Sequence, residues 1–201
     1  METSKTLELL AQAKKYTYAE YKALTEEQVN AGMPTAPEFL DYTKLNLQRM
    51  KRLDKTVELL PAVTEALQKL SRKLHWVVIS EGWCGDAAQN VPVLSKIAAV
   101  SEGKITLEFV MRDRNLELMD LYLTNGGRSI PKLICFDANT KKELATWGPR
   151  PAAAQEMFMK LKNEGVPKEE FISAVHNWYT TDKTQSLQLE LANLIQESQN
   201  G

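Results

Sequence analysis

Apolar positions along this chain change their period twice. Over residues 1–72 they recur at helical spacing. Leu7, Leu10 and Ala11, with Lys14, form one stripe, and Phe39, Tyr42, Leu45, Leu47 and Met50 form another. Leu53, Val57, Leu60, Val63, Leu67 and Leu70 carry that face onward, with Pro61 beginning or bending the last helix. Between these stripes Thr17-Tyr18-Ala19-Glu20 has capping-box spacing, so a helix starts there and stops near Gly32 and Pro34. From residue 74 to 148 the pattern is different. The apolar run Trp76-Val77-Val78-Ile79 marks a buried strand over 74–80, followed by a helix to about Val100. Residues 105–111 form a second strand after a turn at Gly103. A short helix over 117–123 is stopped by Asn125-Gly126-Gly127. Residues 132–136 and 142–147 then pair as a hairpin across Asp137-Ala138-Asn139-Thr140. After Pro151 helical spacing returns over 152–161, again through Phe171, Val175, Trp178 and Tyr179, and again through Leu187, Leu189, Leu191, Leu194 and Ile195. The polar tail 196–201 is expected to fray.

The β-α-β-α-β-β order predicts an α/β fold, with parallel pairing across the helical crossovers and antiparallel pairing in the final hairpin. Two units are expected: an N-terminal helical extension, 1–72, packed on the core, and a domain over 73–201 that includes extra C-terminal helices. Composition narrows the function classes. A net charge of −1 disfavours nucleic acid or an anionic membrane as the main partner. No apolar run reaches the roughly 18 residues of a membrane span. The N-terminus shows no basic region followed by an apolar core, so no export signal is expected. Two cysteines far apart in 201 residues do not make a disulfide framework, and the expected location is the reducing cytoplasm. Two cysteines and two histidines without close spacing predict no metal site.

One motif carries candidate chemistry. Trp83-Cys84-Gly85-Asp86-Ala87 joins the first long strand to a helix. Unpaired N–H groups and the helix dipole at such a junction stabilise a thiolate, which lowers a thiol from ~8.5 into the neutral range. Pro92 lies eight residues after Cys84, Ile130-Pro131 leads into a hydrophobic strand, and Gly148 follows the last strand. These landmarks, in this order, resemble the thioredoxin family, whose motif is Trp-Cys-Gly-x-Cys. The resemblance covers roughly the middle third of the chain. It implies a three-layer α/β/α thioredoxin-like fold with a central mixed sheet of about four strands. It also implies a cis Pro131 against Cys84, with the Ile130 backbone offered to an extended partner. On the residues alone, Pro131 also reads as a plain strand-leading proline.

The chain departs from the family pattern in three places. Ala87 stands where the resolving cysteine belongs. Val78, six residues before Cys84, stands where thioredoxins bury a carboxylate. Asp86 replaces the usual proline, where its carboxylate could cap the helix while its charge raises the thiol's pKa. Cys135 is expected to be a buried strand residue rather than a substitute resolver, since it lies ~13 Å along the strand from Pro131. His75 and His176 read as packed or surface side chains. Arg128 and Arg150 either bring positive charge to the thiol rim or are solvated.

The leading reading is a single-thiol thioredoxin-like protein. Cys84 would exchange with a protein or low-molecular-weight disulfide or thiol, or sense redox state, and an external thiol would resolve it. The logic is that of monothiol glutaredoxins, but their Cys-Gly-Phe-Ser motif is absent and no cofactor is expected. The alternative is a non-catalytic thioredoxin-fold binding module, which the extra helices favour. A purely structural scaffold ranks last.

Overall fold

The computed structural model describes residues 2–33 and 36–200. Its centre is a five-stranded mixed sheet in the order β1-β3-β2-β4-β5, formed by β1 (Lys15–Tyr16), β2 (Leu74–Ser80), β3 (Ile105–Met111), β4 (Lys132–Asp137) and β5 (Glu143–Trp147). β2 and β3 run parallel in register from Leu74↔Ile105 to Ser80↔Met111, joined through α5 (Gly85–Val100). β4 lies antiparallel to β2, and β5 antiparallel to β4. The central strands β2 and β4 are buried nearly throughout, which accounts for their unbroken apolar runs, whereas β5 at the edge is mostly half-exposed.

Three expectations need correction. The first 72 residues are not all helical, because Lys15 and Tyr16 pair with Val110 and Phe109 as an added antiparallel edge. With that short edge, the mixed sheet expected at about four strands has five. The polar tail is helical to its described end: α9 (Gln185–Asn200) buries Ser198 and bonds Gln199 to Ser71 at both its backbone and its hydroxyl. These contacts, remote in sequence, offset the entropy of ordering a polar helix end. The short helix after β3, α6 (Leu116–Asp120), is also earlier and shorter than 117–123.

The N-terminal elements are α1 (Glu2–Gln12), α2 (Tyr18–Asn30), α3 (Leu40–Thr56) and α4 (Pro61–Lys69). α2 starts at a complete capping box between Thr17 and Glu20, and α4 starts at Pro61, whose missing N–H costs nothing at that position. The stop signal expected at Pro34 lies outside the described residues; α2 ends at Asn30, just before Gly32. α2 and α3 hold the loop after β2. Tyr21 and Ser80 share a hydroxyl hydrogen bond of 3.0 Å, and Asn46 Nδ2 donates to the Gly82 carbonyl at 3.1 Å. Gly82 has no room for a side chain, since a Cβ there would lie 2.5 Å from Thr25. On the other side α7 (Ala152–Asn163) and α8 (Lys168–Asp182) form a helical hairpin. Among the described residues no helix is long and apolar enough to cross a membrane. No group of three or more His, Cys, Asp or Glu could hold a metal ion there.

Candidate functional site

Cys84 is the N-cap of α5, so the strand ends and the helix begins at the sulfur. Its Sγ accepts a long hydrogen bond from the Ala87 N–H, 3.5 Å, one of the orphan donors of the first turn. The thiol donates to the Ile130 carbonyl at 3.2 Å, across the Ile130–Pro131 peptide bond, which is cis. The motif residues and the Ile130-Pro131 segment therefore lie together. Gly148 makes that approach feasible: its φ is +113°, and a Cβ would sit 2.2 Å from the Pro131 carbonyl oxygen.

Helix position does not set the thiol's acidity here. Burial first, and the Asp86 charge second, push the Cys84 thiol up to about 12, against the Ala87 and Asp86 N–H groups and Arg150. This corrects the expectation of a lowered value. The dipole of the first turn is outweighed because Cys84 is only 7% exposed.

Asp86 also does something other than cap the helix. Its carboxylate takes three hydrogen bonds from Arg150, the shortest 2.6 Å from Nη2, and one of 2.7 Å from the Tyr179 hydroxyl. The Asp86 and Arg150 side chains are 14% and 9% exposed, so Arg150 is a buried partner and not a solvated surface group. Its guanidinium also bonds Gln155 and lies 4.2 Å over the Phe158 ring. Tyr179 in turn accepts from Asn90 Nδ2 at 3.0 Å, which ties α8 to α5. Arg128, by contrast, is half-exposed and forms its own pair with Asp120.

Trp83 stacks on Phe39 at 4.8 Å, lies 4.6 Å from the Arg112 guanidinium and donates to Asp113 Oδ2 at 3.3 Å. Gly85 faces His176, whose ring a Cβ at 85 would meet at 2.9 Å. Ala87 is buried with no sulfur to offer. Cys84, Gly85 and Asp86 line a pocket of about 330 Å³ whose other walls come from α3 and the α7–α8 hairpin.

Several site residues carried no readable signal. His176 and Tyr179 belong to a helical stripe that resembles any packed face, and Arg49 is one of many charges on α3. Glu81 is buried behind the motif, accepts the Asp113 N–H at 2.9 Å and is pushed up to about 7 by burial. Its signal was a carboxylate inside an apolar strand-to-helix junction. Cys135 is fully buried in β4, level with Trp76 of β2, and touches Ser198 at 3.6 Å. His75 pairs with Glu108 across β2 and β3, away from the motif.

Comparison with known proteins places this geometry. Residues 33–163 match a thioredoxin family model, covering the sheet from β2 to β5 together with α3 and α7. A curated relative, thioredoxin 1 of Nostoc sp. (strain PCC 7120), is 37% identical over 62 residues. That alignment spans 31% of this chain and 55% of the Nostoc protein. Among solved structures, a Pseudomonas aeruginosa protein of unknown function superposes with a TM-score of 0.54 at 20% identity, covering 90% of this chain and 97% of its own. An HIV epitope scaffold gives 0.52 at 19% identity, covering 92% and 99%. These two likenesses show the fold alone, and the family follows from the match over residues 33–163: the chain belongs to the thioredoxin family.

Proposed function

We propose that this protein carries out redox or thiol–disulfide chemistry with one thiol, Cys84. The observation that carries this reading is the position of Sγ. It caps α5, contacts the Ile130 carbonyl and opens on a pocket large enough for a small ligand. In exchange, the Cys84 proton leaves to solvent and the thiolate attacks one sulfur of a disulfide. A Cys84–sulfur bond forms, the original S–S bond breaks, and the second sulfur departs as a thiolate. Ala87 cannot resolve that mixed disulfide, so an external thiol attacks it and regenerates Cys84. A thiol held near 12 is protonated at neutral pH, so the resting site is slow and guarded.

The same burial favours a second reading, a binding module in which Cys84 is only part of the pocket wall. Alkylation against pH, with Cys84→Ser to assign the signal, separates the two. Exchange predicts a Cys84-specific rate that climbs about tenfold per pH unit beyond pH 9, and a mixed disulfide visible by mass spectrometry. A Cys84 that takes no disulfide at any pH while the protein stays folded leaves only the binding module. Placing 1–72 as a helical extension that completes this pocket, rather than as a separate unit, rests on the α2 and α3 contacts to the Ser80 and Gly82 segment. The cytoplasm remains the proposed location on cysteine usage.

A further inference from the structure

Two cavities adjoin at Arg49 and His176. The first is the Cys84 pocket, walled by Phe39, Trp83, Phe158 and Phe171. The second, about 780 Å³, lies among α3, α5, α8 and α9 and carries Arg52 and Lys183 against one acid, Glu58. The charges in the first pocket are not equivalent. Arg150 and Asp86 neutralise each other, and Lys168, the other cation of the lining, is solvent-exposed. Arg49 has no such partner: among the described residues it forms no ion pair, and its guanidinium donates only to Asn46 Oδ1 at 3.0 Å. It is half-buried, so burial and the neighbouring Arg52 both disfavour its charge. Beside it, His176 Nδ1 is buried with no hydrogen-bond partner among the described residues. An anion received at Arg49 would supply the counter-charge it lacks.

We propose that the pocket selects small disulfides or thiols that pair a flat apolar body with one anionic group. The anion sits at Arg49, the body lies among Phe39, Phe158 and Phe171, and the sulfur reaches Cys84. This rests on the reading of Cys84 as an exchanging thiol and names the substrate class for it. A volume of about 330 Å³ is in the ordinary range for small-molecule sites, ~300–1,000 Å³, and aromatic walls with few polar groups are typical of them. Gly85 belongs to the same design, because any side chain there would meet His176 and crowd Arg49.

The test compares three disulfides at one pH: dithiobis(nitrobenzoate), aromatic with one carboxylate on each ring; dithiodipyridine, aromatic and neutral; and cystamine, aliphatic and cationic. Each rate at Cys84 is divided by the rate with free cysteine, and Cys84→Ser subtracts Cys135. For dithiobis(nitrobenzoate), Cys84 releases one aryl thiolate for each aryl disulfide it forms. The normalised rate is expected to be at least about tenfold above that of cystamine. Arg49→Met should remove about tenfold from the anionic reagent alone, and Arg49→Lys should restore part of it. An unchanged thermal midpoint in both variants excludes misfolding. Equal normalised rates for all three reagents overturn the substrate class and leave Cys84 exchange standing. Failure of every reagent to modify Cys84 overturns the exchange reading instead. The ligand class is then decided by anilinonaphthalene sulfonate binding to the Cys84→Ser protein. Saturable binding weakened by Arg49→Met supports it, and no binding overturns it.

Discussion

Cys84 and Cys135 are both buried thiols in one domain, and burial raises the pKa of each, yet only one stands where chemistry can reach it. Cys135 lies inside β4, fully enclosed, with its sulfur against the Ser198 hydroxyl of α9. Cys84 sits where β2 gives way to α5, bonded to a backbone N–H on one side and a carbonyl on the other, with a pocket beside it. The difference is therefore access and polar company rather than exposure alone. Cys84 is also coupled to a charge pair, Asp86 and Arg150, that tunes it in opposite senses.

Asp86→Asn should move the two thiols apart the most. Removing the carboxylate charge takes away a contribution that raises Cys84, and it leaves Arg150 to lower it. Cys84 alkylation at pH 8 is expected to rise about tenfold or more, since one pKa unit is about 1.4 kcal/mol, with Cys135 unchanged. The same change leaves the buried Arg150 unpaired and should cost about 3–5 kcal/mol in denaturant unfolding. A faster thiol in a weaker protein is the signature. A slower Cys84 would mean that the pair serves the thiol by orientation rather than by charge.

Gly148→Ala should come next. The new Cβ meets the Pro131 carbonyl oxygen at 2.2 Å with φ at +113°, so either the backbone strains or the segment shifts. A loss of about 3 kcal/mol is expected. Because Ile130 accepts the Cys84 thiol, its displacement should change the Cys84 alkylation rate while Cys135 stays inert. Equal effects on both thiols would mean general loosening of β4 and β5.

How much of this contrast was legible in the sequence depended on distance along the chain. β2, β3 and α5 are legible to within a residue or two because each is long enough to show its own pattern. β1 could not be read, since two residues have no period and Lys15-Tyr16 is a strand only by pairing with β3. The end of α9 is not legible locally, because its polar residues find partners 63 and 128 positions away. The same rule governs the site. Cys84 at a helix start is local and was visible. Its acidity is not local, because it reflects burial and a network in which Asp86 meets Arg150 and Tyr179, 64 and 93 residues later.

Glu81 adds a pH-dependent difference confined to the Cys84 side. Burial raises its folded value to about 7, above the ~4.3 of an unfolded glutamate. As pH rises the unfolded chain loses that proton first. The contribution from the protonated, buried carboxyl is thus complete below about 4.5 and is lost as pH climbs through 7. Stability should fall by about 3 kcal/mol across that window, and Glu81→Gln should flatten the slope when unfolding is measured at each pH. An identical slope in the variant would place the titration elsewhere.

Cys135→Ala is the smallest effect and the cleanest check on the contrast. It removes one buried sulfur from a strand whose neighbours can close little of the gap, and it withdraws a weak partner from Ser198. A cost of about 1 kcal/mol is expected, in line with other small deletions from a packed core. Mixed-disulfide formation at Cys84 should be unchanged, because Cys135 lies level with Trp76, eight residues before Cys84 and well down the sheet from it. If Cys135→Ala instead stopped the regeneration of Cys84, the two thiols would be working as a pair. The external resolving thiol would then be unnecessary, and β4 would have to open far enough to carry Cys135 up the sheet. That would cost the sheet several of the β2–β4 pairings that define the fold.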